Sequence, residues 1–304
     1  FSDLDTEKIK NFKKTVNSNK ILFIVISKSG NTIETLTNFL ALNIIKKRQK
    51  NIILISEKRN NILFSFSKKF DLFHIEHKNY IGGRYSVLSE VGMVPAYLMG
   101  LNLYKIRKNL KSFLFNKKIK LLQSSVLNLS NALSKNKLNN LILLNYAPQL
   151  EKFLFWYQQL VAESLGKKGK GFLPLVSNVP KDHHSLLQLY LDGPRDKLFY
   201  IFSIEEKSNL KINTMKFTNQ INHLHNKDIN DIKDAQKKAL IKTLRKKKIP
   251  FREIKINRTN EEVLGELFAY FILETIFIAK IAKINPFDQP AVEQVKIYTK
   301  KLLS

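Results

Sequence analysis

Short unbroken runs of apolar residues alternate along this chain with stretches whose apolar positions recur every three or four residues. "ILFIVIS" (21–27), "NIILIS" (51–56) and "LFHI" (72–75) are the first apolar runs. Runs of that length without polar alternation are the pattern of parallel strands covered on both faces. The spacing predicts helices from about Thr32 to Arg48 and from about Ser86 to Tyr104. "KIRKNLKSFLFNKK" (105–118) is charged, lacks a strand and reads as a join between two units. The alternation then resumes with "NNLILLNY" (139–146), a helix through "LFWYQQLVAESLG", "GFLPLVSN" (171–178), a short helix at "HHSLLQLYL" and "KLFYIFSI" (197–204). Segment 205–230 is polar and irregular. Helices are predicted near 231–247, 261–283 and 288–303, with the strand "PFREIKI" (250–256) between the first two. The fold class is α/β, parallel sheets with helices on both faces, divided into domains 1–110 and 111–304.

Composition narrows the possibilities. The chain has 304 residues, two domains' worth at roughly 150 each. It is 44% hydrophobic, enough for packed cores. It has no cysteine, which excludes disulfides, thiolate catalysis and cysteine-based zinc sites and fits a cytoplasmic, reducing setting. No window approaches the ~18 uninterrupted apolar residues of a membrane span; "LFAYFIL" is cut off by Glu274. No membrane partner is expected. The chain opens on Phe1 without an initiator methionine, so an upstream segment is expected to be missing.

The net charge of +27 raises the question of nucleic acid. The basic residues are spread over the whole chain, which is also rich in Ile and Asn, and no zinc-finger, helix-turn-helix or RNA-binding aromatic pattern accompanies them. The charge reads as lysine drift that leaves a positive field attractive to anionic substrates, with no specific nucleic-acid partner.

The loop "SKSGNTIET" (27–35) carries the first candidate chemistry. It leaves a predicted strand and enters a predicted helix, whose first-turn N–H groups lack internal partners and carry partial positive charge. Ser27, Lys28, Ser29 and Thr32 therefore form a candidate phosphate site. Asn31 is expected to cap the helix, with Glu34 completing a capping box. The GxxxxGK[ST] spacing is absent, which favours a monophosphate over a nucleoside triphosphate. Ordinary helix capping uses the same residue types, so the loop alone leaves both readings open.

The loop resembles the phosphate loop of sugar isomerase (SIS) domains, and four further blocks extend the likeness. "IGGRYSVLSEVGMVPAYLMG" (81–100) contains Gly-Gly-Arg-Tyr-Ser, a signature of the glucose-6-phosphate isomerase family. "WYQQLVAESLGKKGKG" (156–171), "DHHSLLQLYLDGP" (182–194) and "INPFDQPAVEQVK" (284–296) resemble that family's remaining blocks, in its order, with a bacterial-type "LDGP" ending. The resemblance implies two SIS-type three-layer αβα sandwich units with parallel sheets, the first one incomplete. It implies an aldose–ketose isomerase that interconverts glucose 6-phosphate and fructose 6-phosphate through ring opening and a cis-enediolate, needing no metal and no cofactor, and working as a homodimer in which the histidine reaches the neighbouring subunit's site.

Within that resemblance Glu163 is the base; Leu160, Val161 and Leu165 would partly desolvate it, whereas a lone glutamate near a helix end is ordinarily solvated. His184 is the ring-opening group, since the family's His-Ser-x-x-Gln-Leu pattern fits His184 and leaves His183 one position early. In a helix Gln188 would share its face. Read alone, the two histidines are a polar helix start or a metal pair, although adjacent helical residues diverge. Lys296 matches the ring-opening lysine, and Gln289, seven positions earlier, would share its helical face. Arg84 would stabilise the enediolate, with Gly82 and Gly83 allowing close backbone approach. Ala291, Gln294–Val295 and "SNVPKDHH" depart from the family pattern around Lys296 and His184. Two alternatives stand beside this reading: a non-catalytic SIS-type sugar-phosphate-binding protein, and a bifunctional glucose/mannose 6-phosphate isomerase.

Overall fold

The computed structural model describes residues 1, 3–115, 118–134, 137–206, 208–216 and 219–304. Asn116 and Lys117 of the expected join, and Lys207, Phe217 and Thr218 of the polar segment, lie outside the described residues. The chain divides into two compact units, Phe1–Tyr104 and Lys105–Ser304.

The first unit runs α1 (Thr6–Thr15), β1 (Phe23–Ile26), α2 (Ile33–Leu42), β2 (Ile52–Ser56), α3 (Ile62–Phe70), β3 (Phe73–Glu76) and α4 (Glu90–Leu98). Its sheet has the order β1-β2-β3, all parallel, with Phe23 opposite Ile52 and Ile53 opposite Phe73. Ile52, Leu54 and Ile55 are fully buried because β2 is the central strand. Leu36, Phe39 and Leu42 of α2 and Leu63 of α3 pack around it.

Helix boundaries depart from the pattern reading for local reasons. Helix α2 stops at Leu42, short of the expected Arg48, because Asn43 turns left-handed at φ 53° and closes it. The helix expected over 86–104 is broken into a 3-10 turn at Gly83–Leu88, α4 with Ser89 at its N-cap, and α5 (Leu103–Lys108). Helices α1 and α3 were not anticipated. The start of the expected join 105–118 is helical in α5, and the helix that follows it, α6 (Lys118–Ser134), was not predicted either.

The second unit continues with β4 (Asn140–Asn145), α7 (Glu151–Leu165), β5 (Leu173–Asn178), α8 (Leu187–Asp192), β6 (Lys197–Ile204), α9 (Ile229–Lys246), β7 (Phe251–Ile256), α10 (Glu261–Ile281) and α11 (Glu293–Leu303). Its four-stranded sheet has the order β5-β4-β6-β7, parallel throughout. Every strand read from an apolar run is present. One face packs Ile142, Leu144, Phe199 and Ile201 against Leu240, Ile241 and Leu244 of α9. An aromatic layer from α7, α10 and β6 includes Tyr157 and Phe271, ring centroids 4.2 Å apart, and Phe202 at 5.8 Å from Phe271.

That layer encloses a charge. Glu274 of α10 is fully buried. One of its oxygens lies 2.7 Å from Arg252 Nη1 and accepts from the Tyr270 hydroxyl at 2.8 Å; Ser125 donates to the same oxygen. The other accepts from Tyr157 at 3.2 Å. Burial, followed by the Glu274 charge, holds the Tyr157 and Tyr200 hydroxyls well above the ordinary tyrosine range, so they stay protonated. The cluster ties α6, α7 and α10 to the sheet.

Candidate active site

The loop 27–32 emerges from the carboxyl end of β1, the end at which open parallel sheets bind ligands. Ser27 is buried, and its Oγ lies 2.7 Å from Thr32 Oγ1. The Thr32 N–H points at Ser27 Oγ at 3.4 Å, and the Asn31 N–H at Ser29 Oγ at 3.3 Å. The hydroxyls thus fold inward over one tight turn.

Gly30 closes that turn. Its φ is +69°, and a Cβ there would lie 1.8 Å from Asn61 Oδ1. Asn61 is itself fixed: its Oδ1 caps the Phe64 N–H at 2.9 Å and its Nδ2 donates to the Glu57 carbonyl at 2.8 Å. Asn31 does not cap α2 as expected. Its side chain accepts the Ile62 N–H at 3.0 Å, at the start of α3, while Thr32 occupies the N-cap of α2 without a side-chain cap bond. A tertiary neighbour outcompeted the local helix. Lys28 Nζ lies 3.8 Å from the buried Glu57 carboxylate. The other Glu57 oxygen is 2.5 Å from Arg59 Nε, an ion pair without hydrogen-bond alignment.

Arg84 is buried on the 3-10 turn Gly83–Leu88, its guanidinium 5.3 Å from the Tyr85 ring centroid, and Gly83 is exposed beside it.

In the second unit Glu163 sits in the last turn of α7, half-buried, and accepts from Gln159 Nε2 at 2.8 Å. Leu160, Val161 and Leu165 are buried beside it. After α7 the loop 166–171 turns through Lys168 and Gly169 at φ 55° and 69°. Lys167 Nζ donates to the Asp288 carbonyl at 2.6 Å and pairs with its carboxylate at 2.7 Å; Lys170 Nζ reaches the Ala282 carbonyl at 3.1 Å. The Glu163 block is thereby fastened to the segment that leads into Gln289.

The two histidines divide. His183 is half-buried, with Nε2 2.8 Å from the Tyr146 hydroxyl. Burial and then the neighbouring His184 hold its pKa below the ordinary histidine value. His184 is exposed. It precedes α8, which starts only at Leu187, so the helical His184–Gln188 face does not exist; Gln188 instead donates to Asp192 at 3.3 Å. The shared Gln289–Lys296 face is absent for a related reason. Pro290 opens a 3-10 turn, Gln289 lies before it at that turn's N-cap, and only Lys296 is on α11. Lys296 is exposed and pairs with Glu293 at 2.7 Å.

Among the described residues, no group of three or more His, Asp or Glu side chains is arranged to hold a metal ion. No helix among them is long and apolar enough to cross a membrane. A groove of about 700 Å³ beneath α9, lined by Tyr146, Ser203, Lys237, Lys242 and Glu253 among others, contains none of the expected site residues. Asn61 and Tyr146 are supports the pattern reading missed, and Lys167 was read only as part of the 156–171 block. Of the two missed, Asn61 had a legible signal, as a capping residue before the apolar run of α3.

The phosphoglucose isomerase family matches residues 1–177, more than half of the chain. The chain belongs to the phosphoglucose isomerase family. Among curated relatives, a probable glucose-6-phosphate isomerase of Methanococcus maripaludis is 32% identical over 96% of this chain and 68% of its own length. The glucose-6-phosphate isomerase of Methanocaldococcus jannaschii is also 32% identical, over 96% of this chain and 74% of its own. Among solved structures, a hypothetical protein of Thermus thermophilus superposes with a TM-score of 0.90 over 99% of this chain and 76% of its own, at 24% identity. A glucose-6-phosphate isomerase of Chlamydia trachomatis superposes at 0.78 over 99% of this chain and 62% of its own, at 17% identity. At these identities the structural matches establish the shared α/β fold.

Proposed function

We propose that this phosphoglucose isomerase family member is an aldose–ketose isomerase interconverting glucose 6-phosphate and fructose 6-phosphate. The observation that carries this is the 32% identity to glucose-6-phosphate isomerases over 96% of the chain. In this reading the loop of Ser27, Lys28, Ser29 and Thr32 holds the phosphate. Its hydroxyls are gathered within one turn by Gly30, so little ordering remains to be done when the anion arrives.

His184, with Lys296, moves the proton that opens the sugar ring. Exposure keeps its ring open to exchange, while His183 is held by Tyr146. Glu163 takes the proton from one of C1 and C2 and returns it to the other. Charge develops on the enediolate oxygens only along this path, so the Arg84 guanidinium lowers the barrier by stabilising it there. Gly83 permits close backbone approach and Gln289 contacts the sugar. Family resemblance further supports a cytoplasmic homodimer and a first domain that corresponds to part of a SIS unit.

The test is a coupled assay: fructose 6-phosphate is supplied and glucose 6-phosphate is followed through an NADP-dependent dehydrogenase. Glu163→Gln is expected to lower turnover by about 10²–10⁴-fold, the range of a lost general base. Sugar-phosphate affinity should stay within a few-fold. Undiminished turnover in that variant would remove Glu163 from the mechanism, and a silent wild-type protein would remove the isomerase reading.

A further inference from the structure

His77 and Glu90 are partners in the first unit that take no part in the chemistry above. His77 directly follows β3 and is 1% exposed. Its backbone N–H donates to the Ser56 carbonyl, at the end of β2, at 2.8 Å. Its ring bridges two points of the chain: Nε2 lies 3.1 Å from the Ile81 carbonyl oxygen, and Nδ1 makes a short hydrogen bond with Glu90 Oε1. Ile81 immediately precedes Gly82. Glu90 is the first residue of α4 and immediately follows Ser89. The segment between these two anchors is the Gly-Gly-Arg turn.

The protons can be placed by elimination. A carbonyl oxygen only accepts, so Nε2 carries a hydrogen toward Ile81. Nδ1 then shares one proton with the Glu90 carboxyl, as imidazolium with carboxylate or as imidazole with carboxylic acid. Both arrangements keep both hydrogen bonds. Inside the turn the Tyr85 N–H bonds the Gly82 carbonyl at 2.9 Å, Ser86 Oγ the Gly83 carbonyl at 2.6 Å, and Ser89 Oγ the Ser86 carbonyl at 2.7 Å. These bonds give the turn its shape. His77 links both of its ends to the sheet. Gly92 packs so closely under the turn that a Cβ would lie 1.9 Å from the Val87 carbonyl oxygen.

We propose that the His77–Glu90 pair is a clamp that fixes the Gly82–Ser89 turn and so places the buried Arg84, which makes both residues positioning residues. Arg84 is a long side chain whose aim depends on where its backbone is held. A misplacement of about 1 Å at a reacting centre can cost about 10²-fold in rate. The consequence for turnover rests on the isomerase reading; the clamp itself does not.

The experiment pairs the coupled fructose 6-phosphate assay with amide hydrogen exchange across residues 82–89, on the wild-type protein, Glu90→Ala and Glu90→Gln. Glu90→Ala is expected to speed exchange in that segment and to lower kcat by about 10–100-fold, with KM changed less than about threefold. Glu90→Gln should restore both toward wild type, because its carboxamide can donate to Nδ1 of a neutral His77 whose Nε2–H stays on Ile81. A Glu90→Ala protein with wild-type kcat and exchange would overturn the clamp and leave the isomerase reading intact. A Glu90→Gln protein as impaired as Glu90→Ala would also overturn it. If Glu90→Ala does not fold, Glu90→Asp, which keeps the charge but shortens the reach, is expected to show the same loss, and wild-type behaviour there overturns the proposal. A silent wild-type protein would sink the isomerase reading alone; faster exchange in Glu90→Ala would then uphold the clamp, and unchanged exchange would sink it too.

Discussion

The Glu274 cluster and the Gln289–Lys296 segment belong to the same unit and use the same side-chain chemistry, yet they are held in opposite ways. Glu274 is fully buried and bonded to Arg252, Tyr270, Ser125 and Tyr157. Lys296 is exposed on a helix that buries none of its residues, and it pairs with the equally exposed Glu293. The first arrangement commits polar groups to architecture. The second leaves them to solvent and to whatever approaches. The buried cluster therefore serves the scaffold, whereas Lys296, the lysine proposed for ring opening, is held by an exposed ion pair.

The largest effect expected from breaking this contrast is at Glu274. Glu274→Ala leaves the Arg252 guanidinium, whose side chain is 24% exposed, without its carboxylate. Removing one partner of a buried ion pair costs about 3–5 kcal/mol. Thermal or urea unfolding of the two proteins measures it. A loss below about 1 kcal/mol would mean that water reaches the cluster and that its scaffold role is overstated.

Between these extremes lies the loop 27–32, whose polar groups bond to one another and to a fixed neighbour. Gly30→Ala puts a side chain into left-handed backbone at φ +69° and against Asn61. The backbone alone costs about 1–2 kcal/mol. Displacing Asn61 also loosens the start of α3. Stability should fall by about 2 kcal/mol, and inorganic phosphate or sugar phosphate should bind more weakly in a calorimetric titration. Intact stability and affinity together would show that the turn adapts and is not preorganised.

How much of this could be read from the sequence depended on the range of the interactions. The strands were legible because β2, β4 and β6 lie inside their sheets and their burial is written as unbroken apolar runs. Helix α6 carries a readable stripe of Leu122, Val126, Leu129 and Leu133, but the charged stretch before it suggested a join. Helix α3 is short, and its clearest signal is the Asn61 cap. The anion loop was legible as a loop, while the role of Asn31 was not, because its partner Ile62 is brought in by the fold. The supposed shared face of Gln289 and Lys296 assumed a continuous helix; Pro290 has no N–H to give and starts a turn instead. The Glu274 cluster draws on several helices and strands besides its own, and no local pattern announces such a set.

Lys296→Ala is expected to give the smallest change in stability and separates the two regions most sharply. An exposed i,i+3 pair such as Lys296–Glu293 contributes about 0–1 kcal/mol, and the variant should unfold almost where the wild type does. Its effect should fall on turnover in the coupled assay, and most on the ring-opening step. That step can be isolated by comparing the cyclic substrate with an acyclic hexose 6-phosphate analogue that needs no opening: the variant should handle the acyclic compound far better, relative to wild type, than the cyclic one. An equal loss on both would place Lys296 outside ring opening. A loss of stability comparable to that of Glu274→Ala would show that α11 is part of the scaffold after all, which its uniformly unburied residues argue against.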